Sequence, residues 1–407
     1  MTDFDSDSDA TRRAYLTTAA AVLGGSALSG CASDGDSTDT PGDAGGTDEP
    51  TATPTATPAD PGTATETPAG TQSSVETPYS VSIEPMGSVE FESVPETWIA
   101  NNGSWADMGI ALGLDAPEGV WLTGRYHTQY YDEIPGVSVD KSDIKQLWGD
   151  SGVGKEQFYE IDADVHVADP NFLLNRGKWE QSDVDEITEE VAPFFGNSIF
   201  SRNYSWHSDY RYYTLMEGFE KLAQVFKRTD RYEAFEAVHD DFQAALAPVV
   251  PAARSERPSA AVVWGGGEQP ESFYPYTFDE GTSFKHLNDL KVRDALADSD
   301  VKDFYSSRGA IDFETLLEVD PEVILLRGQE AKSRSEFEDT VLTFFESHDT
   351  ASALTAVQNG DVYRAGALYQ GPISNLVVTE RLATALYDAD DELFDRQRVG
   401  DIVDGNL

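Results

Sequence analysis

One eleven-residue pattern occurs in each half of this chain, and it constrains the fold more than any other feature. Residues Phe158–Ala168 read FYEIDADVHVA, residues Leu316–Leu326 read LLEVDPEVILL, and the two align without a gap. Each copy has the pattern of an amphipathic helix end, a tight turn containing Asp, and a short apolar strand buried on both faces. Such helix-then-strand units are typical of α/β layers with parallel sheets. The repetition therefore predicts two lobes of related construction.

The segment between the two copies predicts two consecutive helices. Apolar residues recur at helical spacing over residues 212–226, and again after Thr229-Asp230, which is a predicted N-cap, as far as Leu246. We therefore predict an N-terminal lobe over residues 81–229, one long interlobe helix over 230–250 and a C-terminal lobe over 251–407. The predicted fold is α/β, with a mostly parallel sheet flanked by helices in each lobe.

Two further elements of the C-terminal lobe can be predicted locally. Ser259–Trp264 is rich in β-branched and apolar residues and precedes three glycines, as expected for a strand followed by a loop. The apolar pattern from Ile373 to about Tyr387 predicts the final helix of the chain.

The charge of the chain excludes one class of partner. The sequence has 74 acidic and 28 basic residues, a formal net charge of −46. Such a charge repels phosphate, so we expect no nucleic-acid partner. Self-repulsion of this size is tolerated when concentrated salt shortens the Debye length to about 3 Å. The composition therefore predicts a protein adapted to high salt, as in a halophilic archaeon.

The N-terminal residues predict export and lipid anchoring. Arg12 and Arg13 precede a short, weakly apolar run, which is typical of a twin-arginine export signal. The run ends in Leu28-Ser29-Gly30-Cys31, which resembles a lipoprotein processing site, so Cys31 is the predicted lipidation site. It is the single cysteine in the chain, which excludes an intramolecular disulfide. Residues 32–80, rich in Thr, Pro, Asp, Gly and Ala, predict a disordered tether.

Several segments in the right order resemble the lipid-anchored substrate-binding proteins of ABC importers, in the class that carries ferric siderophores, cobalamin and haem. The matching segments are residues 87–91, 94–99, 111–114, 311–317, 320–324, 356–363, 371–372 and 380–383. The resemblance implies two α/β lobes joined by one rigid helix, a metal chelate such as an iron siderophore held between them, and delivery to a membrane permease and its ATPase. It implies no catalysis and no cofactor, a monomer, and a lipid-anchored position on the extracellular face of the cell membrane.

We expect the ligand to contact loops that leave the carboxyl ends of the strands. These loops are rich in aromatic and arginine side chains, which suit a large, flat and partly anionic chelate. The candidate ligand-binding residues are Trp105, Arg125, Tyr126, Trp206, Trp264, Tyr274, Tyr276, Arg308, Arg327 and Tyr369. For each of them, core packing or a solvated position on the rim is the alternative.

One loop departs from the family pattern. Ferric-hydroxamate binders carry an arginine just before the first copy of the repeat, whereas here that loop, Gly149–Gly154, has none. Either Arg125 makes this contact instead, or the ligand is a different chelate. The same loop with Lys155 also resembles a phosphate-binding loop, but Glu156 stands where Ser or Thr must hold magnesium, so we expect no nucleotide site.

Other functions remain open at this level. His127, His166 and His207 lack paired metal-ligand spacing, so we predict no metal site, and no nucleophile–base pair indicates an enzyme. A cell-surface adhesion or structural lipoprotein could use the same anchor, and a binding protein of this fold could take a free metal ion. Aromatic loops that converge on one cleft would favour chelate binding over adhesion.

The export signal can be tested directly. Replacing Arg12 and Arg13 together by Lys should leave the precursor in the cytoplasm, because the paired guanidinium groups are the recognised element of such signals. Cell fractionation followed by immunoblotting measures this. Normal secretion of the double variant would contradict the assignment.

Overall fold

The computed structural model describes residues 78–202, 204–297, 299–389 and 392–407, which all belong to one compact unit. The predicted export signal with Arg12 and Arg13, the predicted lipidation site Cys31 and most of the predicted tether lie outside these residues. The first strand begins at Tyr79, so the last two residues of the predicted tether, 79 and 80, belong to the folded part. The other domain boundaries stay predictions.

The strands are short, and most belong to two sheets. Their bounds are β1 Tyr79–Ile83, β2 Gly87–Phe91, β3 Trp98–Ala100, β4 Gly119–Val120, β5 Lys145–Gln146, β6 Trp148–Gly149, β7 Gly152–Val153, β8 Val165–Val167, β9 Ser259–Trp264, β10 Tyr274–Tyr276, β11 Arg293–Asp294, β12 Val323–Arg327 and β13 Val362–Arg364. The sheet of the first lobe is parallel throughout, in the order β5-β4-β3-β8. In the second lobe the order is β10-β9-β12-β13, with β11 also beside β9 and only β10 antiparallel.

Helices flank both sheets. Their bounds are α1 Gly103–Ala111, α2 Lys155–Ile161, α3 Pro170–Phe172, α4 Gln181–Glu190, α5 Leu215–Val225, α6 Thr229–Leu246, α7 Lys285–Asp289, α8 Phe304–Ser307, α9 Phe313–Val319, α10 Arg334–Phe337, α11 Thr343–Ser347, α12 Thr355–Asn359, α13 Pro372–Tyr387 and α14 Arg396–Asp404. The predicted fold class, two α/β lobes with mostly parallel sheets, is confirmed.

The quasi-repeat has the same structure in both lobes. Asp162 is the C-cap residue that follows helix α2, and Asp320 is the C-cap residue that follows helix α9. Both aspartates have left-handed backbones, with φ of 52° and 43°. A short polar side chain tolerates this conformation, which turns the chain back toward the sheet. Strands β8 and β12 follow, and every residue in them is buried. The helix–turn–strand interpretation of the repeat is therefore confirmed.

Helices α5 and α6 correspond to the two predicted helices in series. Helix α6 begins at Thr229, one residue before the prediction, and ends at Leu246 rather than at residue 250. Arg228 occupies the N-cap position and makes no side-chain capping bond, so the predicted N-cap at Thr229-Asp230 is wrong. Eighteen residues give a length of about 27 Å. Strand β9 has its predicted bounds, and α13 begins one residue before the predicted Ile373.

A buried carboxylate joins the two lobes. Asp107 in α1 is 1% exposed, and it accepts hydrogen bonds from the backbone N (2.9 Å) and Oγ (2.6 Å) of Ser374 in α13. Burial raises the pKa of Asp107 to about 6, although the bonds from Ser374 act in the opposite direction. Helix α1 of the first lobe is thereby fixed to the first turn of α13.

Further contacts extend this seam between the lobes. Glu330, which follows β12, accepts from the Tyr130 hydroxyl at 2.6 Å, and its backbone O accepts from Gln129 Nε2 at 2.7 Å. The backbone N of Thr282 donates to Ile199 O at 3.0 Å, so the main chains of the two lobes also bond directly. The lobes are therefore fixed by more than the interlobe helix.

The last helix was not predicted. Helix α14 packs on α6 and α1, and its Val399 and Ile402 are fully buried. Arg231 ties it in place, because Nη1 of this side chain donates both to Leu112 O (2.8 Å) and to Val403 O (2.7 Å). The C-terminal residues thus complete the core of the first lobe. Among the helices that the structure describes, none is long and apolar enough to cross a membrane.

Stability should fall in acid because of a buried histidine. His166 in β8 is 0% exposed and packs between the rings of Phe158 (4.9 Å) and Phe194 (5.0 Å). Burial lowers the pKa of His166 to about 3. In the unfolded chain this histidine has an ordinary pKa near 6.5, so it binds a proton at a pH at which the folded chain keeps it neutral. The free energy of unfolding therefore decreases as the pH falls below about 6.5.

Between pH 7 and pH 5, the free energy of unfolding should fall by about 2 kcal/mol less in His166→Leu than in the parent. Urea unfolding in about 1 M KCl at both pH values measures this, since salt of that strength screens surface charges. Equal losses in parent and variant would contradict the prediction.

Candidate ligand-binding site

Strand ends of both sheets point to the same side of the molecule. The first-lobe chain leaves β3 at Asn101-Asn102, and Asn102 Oδ1 accepts from Ser104 N at 2.9 Å to cap α1. In the second lobe, β9 and β12 are parallel neighbours and end at Trp264 and Arg327, which are directly paired in register. Residues after these strands therefore meet where the lobes face each other.

Arg125 and Trp264 make a direct contact between the lobes. The guanidinium of Arg125 lies 4.7 Å from the centre of the Trp264 ring, and both side chains are half-buried. Arg125 ends a short 3-10 turn after β4, and Trp264 is the last residue of β9. Two predicted site residues that are distant in sequence are thus brought together as a cation–π pair.

An aromatic cluster lies between the lobes. The ring of Phe200 packs edge-on against Tyr369 at 5.0 Å and against Tyr204 at 5.8 Å. Phe172, which follows β8, lies 6.0 Å from Phe200. The predicted residue Tyr369 belongs to this cluster and is 7% exposed. These rings form an apolar floor to which both lobes contribute.

Tyrosines and arginines of both lobes act electrostatically on Tyr204. Its pKa is raised, first by burial and then by the nearby Tyr369 and Tyr276, while the cations Arg176 and Arg308 oppose the rise. All four neighbours are therefore close enough to act on this hydroxyl electrostatically. Arg176 comes from the first lobe and Arg308 from the second, so cations of both lobes influence one tyrosine.

Trp206 extends the aromatic cluster outward. Its ring is stacked on Tyr204 at 4.1 Å, with 22° between the planes. His207 is stacked in the same way on Tyr210, also at 4.1 Å, and its Nδ1 is 2.7 Å from the Tyr212 hydroxyl. A cavity of about 360 Å³ opens beside Trp206, with Asn171 also in its lining. The predicted residue Trp206 therefore stands between the aromatic floor and solvent.

The second lobe contributes a smaller group around Phe304. Tyr274 and Tyr276, both predicted, lie with their rings 4.7 Å and 5.7 Å from that of Phe304. The guanidinium of Arg308 is 5.0 Å from the same ring, and the Arg308 backbone has a positive φ of 55°. A non-glycine residue in this conformation is uncommon and marks a sharp turn. The turn directs the chain so that Arg308 lies near Tyr204.

Three of the predicted residues are almost completely buried in the core. Trp105 is 0% exposed, and its Nε1 donates to Asn197 O at 3.2 Å. Tyr126 is 2% exposed, and its hydroxyl is bonded to that of Tyr131 at 3.0 Å. Both side chains therefore pack inside the core of the first lobe.

Arg327 is the third. This side chain is 1% exposed, its Nη2 donates to Ser283 O at 2.6 Å, and its guanidinium lies 4.4 Å from the Phe284 ring. A buried guanidinium held in this way organises the second lobe and does not line the cleft. Arg327 was predicted to bind ligand because it ends a strand, but this end of β12 is buried.

Sequence reasoning missed three residues of the site. Arg176, Phe200 and Tyr204 were not among the candidates, although Phe200 and Tyr204 belong to the aromatic cluster and Arg176 acts electrostatically on Tyr204. Arg176 lies on a π-helical turn, Leu173–Gly177, after β8 and α3. The sequence could have indicated Arg176 by its position after a buried strand, at the same sheet edge as Arg125.

The enzyme-like motifs have structural explanations. Strands β6 and β7 form an antiparallel hairpin over the glycine-rich loop, which is not the strand–loop–helix arrangement of a phosphate-binding loop. Lys155 is paired with Asp183 and Glu186, both at 2.8 Å. Within the part of the chain that the structure describes, no three His, Cys, Asp or Glu side chains are grouped to hold a metal ion. A second cavity, of about 680 Å³, is lined by residues that include Pro275, Ser307 and Glu318.

Comparisons with known proteins agree with this architecture. Residues 169–368 match the model of the family described as periplasmic binding protein. The structure of the iron uptake ABC transporter substrate-binding protein PiuA from Streptococcus pneumoniae is similar at 18% identity and a TM-score of 0.52, over 77% of this chain and 100% of that one.

Two other solved structures are comparable. The siderophore binding protein BauB, bound to a complex between two molecules of acinetobactin and ferric iron, gives 16% identity and a TM-score of 0.53, over 77% of this chain and 100% of that one. A periplasmic binding protein from Veillonella parvula gives 14% and 0.51, over 77% and 98%. A comparison with curated proteins gave no match.

The contact between Arg125 and Trp264 should be measurable as a coupling energy. A cation–π pair that is partly desolvated contributes about 1 kcal/mol. Arg125→Ala, Trp264→Ala and the double variant, compared by urea unfolding, should therefore deviate from additivity by about that amount. The matched control is a second cycle in which Arg254→Ala takes the place of Arg125→Ala. Arg254 is an exposed arginine in a distant turn, so its effect and that of Trp264→Ala should be additive. Additivity in the Arg125 cycle would contradict the contact.

The chain therefore has the two-lobe α/β fold of the periplasmic binding proteins, as the match of residues 169–368 and the likeness to these structures show.

Proposed function

We propose that this protein is the solute-binding component of an ABC importer and that it captures an iron siderophore or a similar anionic metal chelate between its lobes. One observation carries the proposal: Arg125 of the first lobe lies 4.7 Å from the Trp264 ring of the second, and the rings of Phe200, Tyr204 and Tyr369 form an aromatic cluster to which both lobes contribute. Flat rings pack against the rigid body of a chelate, and guanidinium groups bind its carboxylate, catecholate or hydroxamate oxygens.

The charge of the chain makes this cluster of arginines informative. A protein with a net charge of −46 repels anions over most of its surface. Arg176 and Arg308 nevertheless both act electrostatically on one tyrosine, and Arg125 lies over the Trp264 ring. Placing cations of both lobes at one location creates a local site for an anion, and high salt screens the remaining repulsion.

The comparisons support the same role. The matching family is described as periplasmic binding protein, and structures of similar fold belong to proteins named for iron uptake and siderophore binding. These relatives are substrate-binding proteins rather than enzymes, which supports a non-enzymatic function outside the cytoplasm. The predicted lipid anchor on Cys31 and the tether would hold such a protein at the extracellular face of the membrane, beside a permease and its ATPase.

Tryptophan fluorescence tests the proposal. The protein in about 1 M KCl is titrated with ferric desferrioxamine, ferric enterobactin, cobalamin and haem, and with ferric and zinc ions. Saturable quenching by a chelate that is reduced in Trp264→Phe supports the proposed role. Quenching by a free ion alone would favour a free-metal binding protein, and no response from a folded protein would favour an adhesion or structural role.

Neutralising the arginines of the site one at a time should distinguish them from arginines elsewhere. Arg176→Gln and Arg308→Gln should each weaken chelate binding about tenfold, which corresponds to about 1.4 kcal/mol, because each removes a charge-assisted hydrogen bond. Arg254→Gln removes an exposed arginine far from the cleft and should leave the affinity unchanged. Unchanged affinity in both site variants would contradict the assignment of the anion contacts.

A further inference from the structure

The indole of Trp264 lies against the main chain of the residue that follows β12. Gly328, directly after β12, lies against its indole, and a Cβ atom on Gly328 would come within 3.0 Å of indole Cε2 and Nε1. The backbone of Gly328 also has a φ of 89°, where only glycine is unstrained. The chain therefore brings bare backbone against the ring.

The next residue, Gln329, holds the loop that begins immediately after Trp264. Gln329 is 1% exposed, and its Nε2 donates to Gly265 O at 2.6 Å and to Gly267 O at 2.9 Å. Both carbonyls belong to the run of three glycines, Gly265–Gly267. Glycines leave this loop free to adopt many conformations, so the two hydrogen bonds from one amide select one of them.

The loop has few other constraints within the described residues. Gly265 N donates to Arg327 O at 3.1 Å, continuing the pairing of β9 and β12 by one residue. Lys332 Nζ reaches Gly267 O at 3.4 Å, a longer bond from an exposed amine. The amide of Gln329 is thus the buried group that connects both ends of the glycine run.

We propose that Gln329 is a positioning residue for ligand binding, which it affects by fixing the orientation of Trp264 without touching the ligand. This inference rests on the proposed function only for its consequence on affinity, because the position of the ring can be measured without ligand. A glutamine suits the task, since its amide has two N–H donors for two carbonyl acceptors. Glutamate at this position would offer the carbonyls no donor.

The consequence concerns specificity. The face of Trp264 under the Arg125 guanidinium forms a combined aromatic and cationic surface on the rim of the site. A ring that reoriented would separate these two features and would favour smaller or less anionic ligands. Gln329 therefore keeps the ring available for a flat anionic chelate.

Fluorine NMR of protein labelled with 5-fluorotryptophan tests the structural part. The chain has seven tryptophans, and Trp264→Phe assigns one resonance. In Gln329→Leu, and in the more conservative Gln329→Met if the first variant fails to fold, we expect the Trp264 resonance to shift or broaden. The resonances of the core residues Trp98 and Trp179 should not move. The matched control Gln243→Leu, in α6, should move none of the three. An unmoved Trp264 resonance in a folded Gln329 variant would overturn the proposal.

Binding measurements test the functional part. For whichever of ferric desferrioxamine, ferric enterobactin, cobalamin or haem binds the parent, Gln329→Leu should weaken binding about fivefold in the parent but have no further effect in Trp264→Ala. Equal losses in both backgrounds would show that Gln329 does not act through Trp264 and would overturn the inference. If none of the four compounds binds the parent, the proposed function fails, whereas the fluorine spectrum still decides the role of Gln329.

Discussion

The hydrogen bonds between Asp107 and Ser374 are the interaction on which the arrangement of the site most depends. A carboxylate that is 1% exposed must be compensated, and here the compensation comes from the other lobe, at the first turn of α13. The segment that carries Leu368 and Tyr369 leads directly into this turn. The place of Tyr369 on the aromatic floor therefore follows from a charge buried in α1 of the first lobe.

The site itself combines two opposite electrostatic conditions. The chain as a whole is strongly acidic, with a formal net charge of −46. Between the lobes, the side chains are mainly rings, with arginines at their edges. Burial strengthens the effect of each guanidinium, since the interior screens charge less than water does. A few cations at one location can thus attract an anion that the remaining surface repels.

Much of the fold could be predicted from sequence because its signals are local. The helix–Asp–strand pattern around Asp162 and Asp320 specifies a left-handed turn and a buried strand within a dozen residues, and the structure has both. The site could be predicted only in part, because burial depends on the whole lobe. Arg327 and Trp105 have the residue types of a binding surface, yet both lie in the core. Arg176 and Tyr204 come to the cleft through a π-helical turn and a long irregular loop, which carry no periodic signal.

The return of the last helix to the first lobe has a consequence for biosynthesis. Val399 and Ile402 of α14 close a core whose other members, in α1 and α6, are made much earlier, and Arg396 pairs with the equally distant Glu133. Contacts between such distant parts of a chain slow folding and cannot form on a nascent fragment. The N-terminal lobe therefore reaches its final packing only after α14 has been synthesised and has left the ribosome.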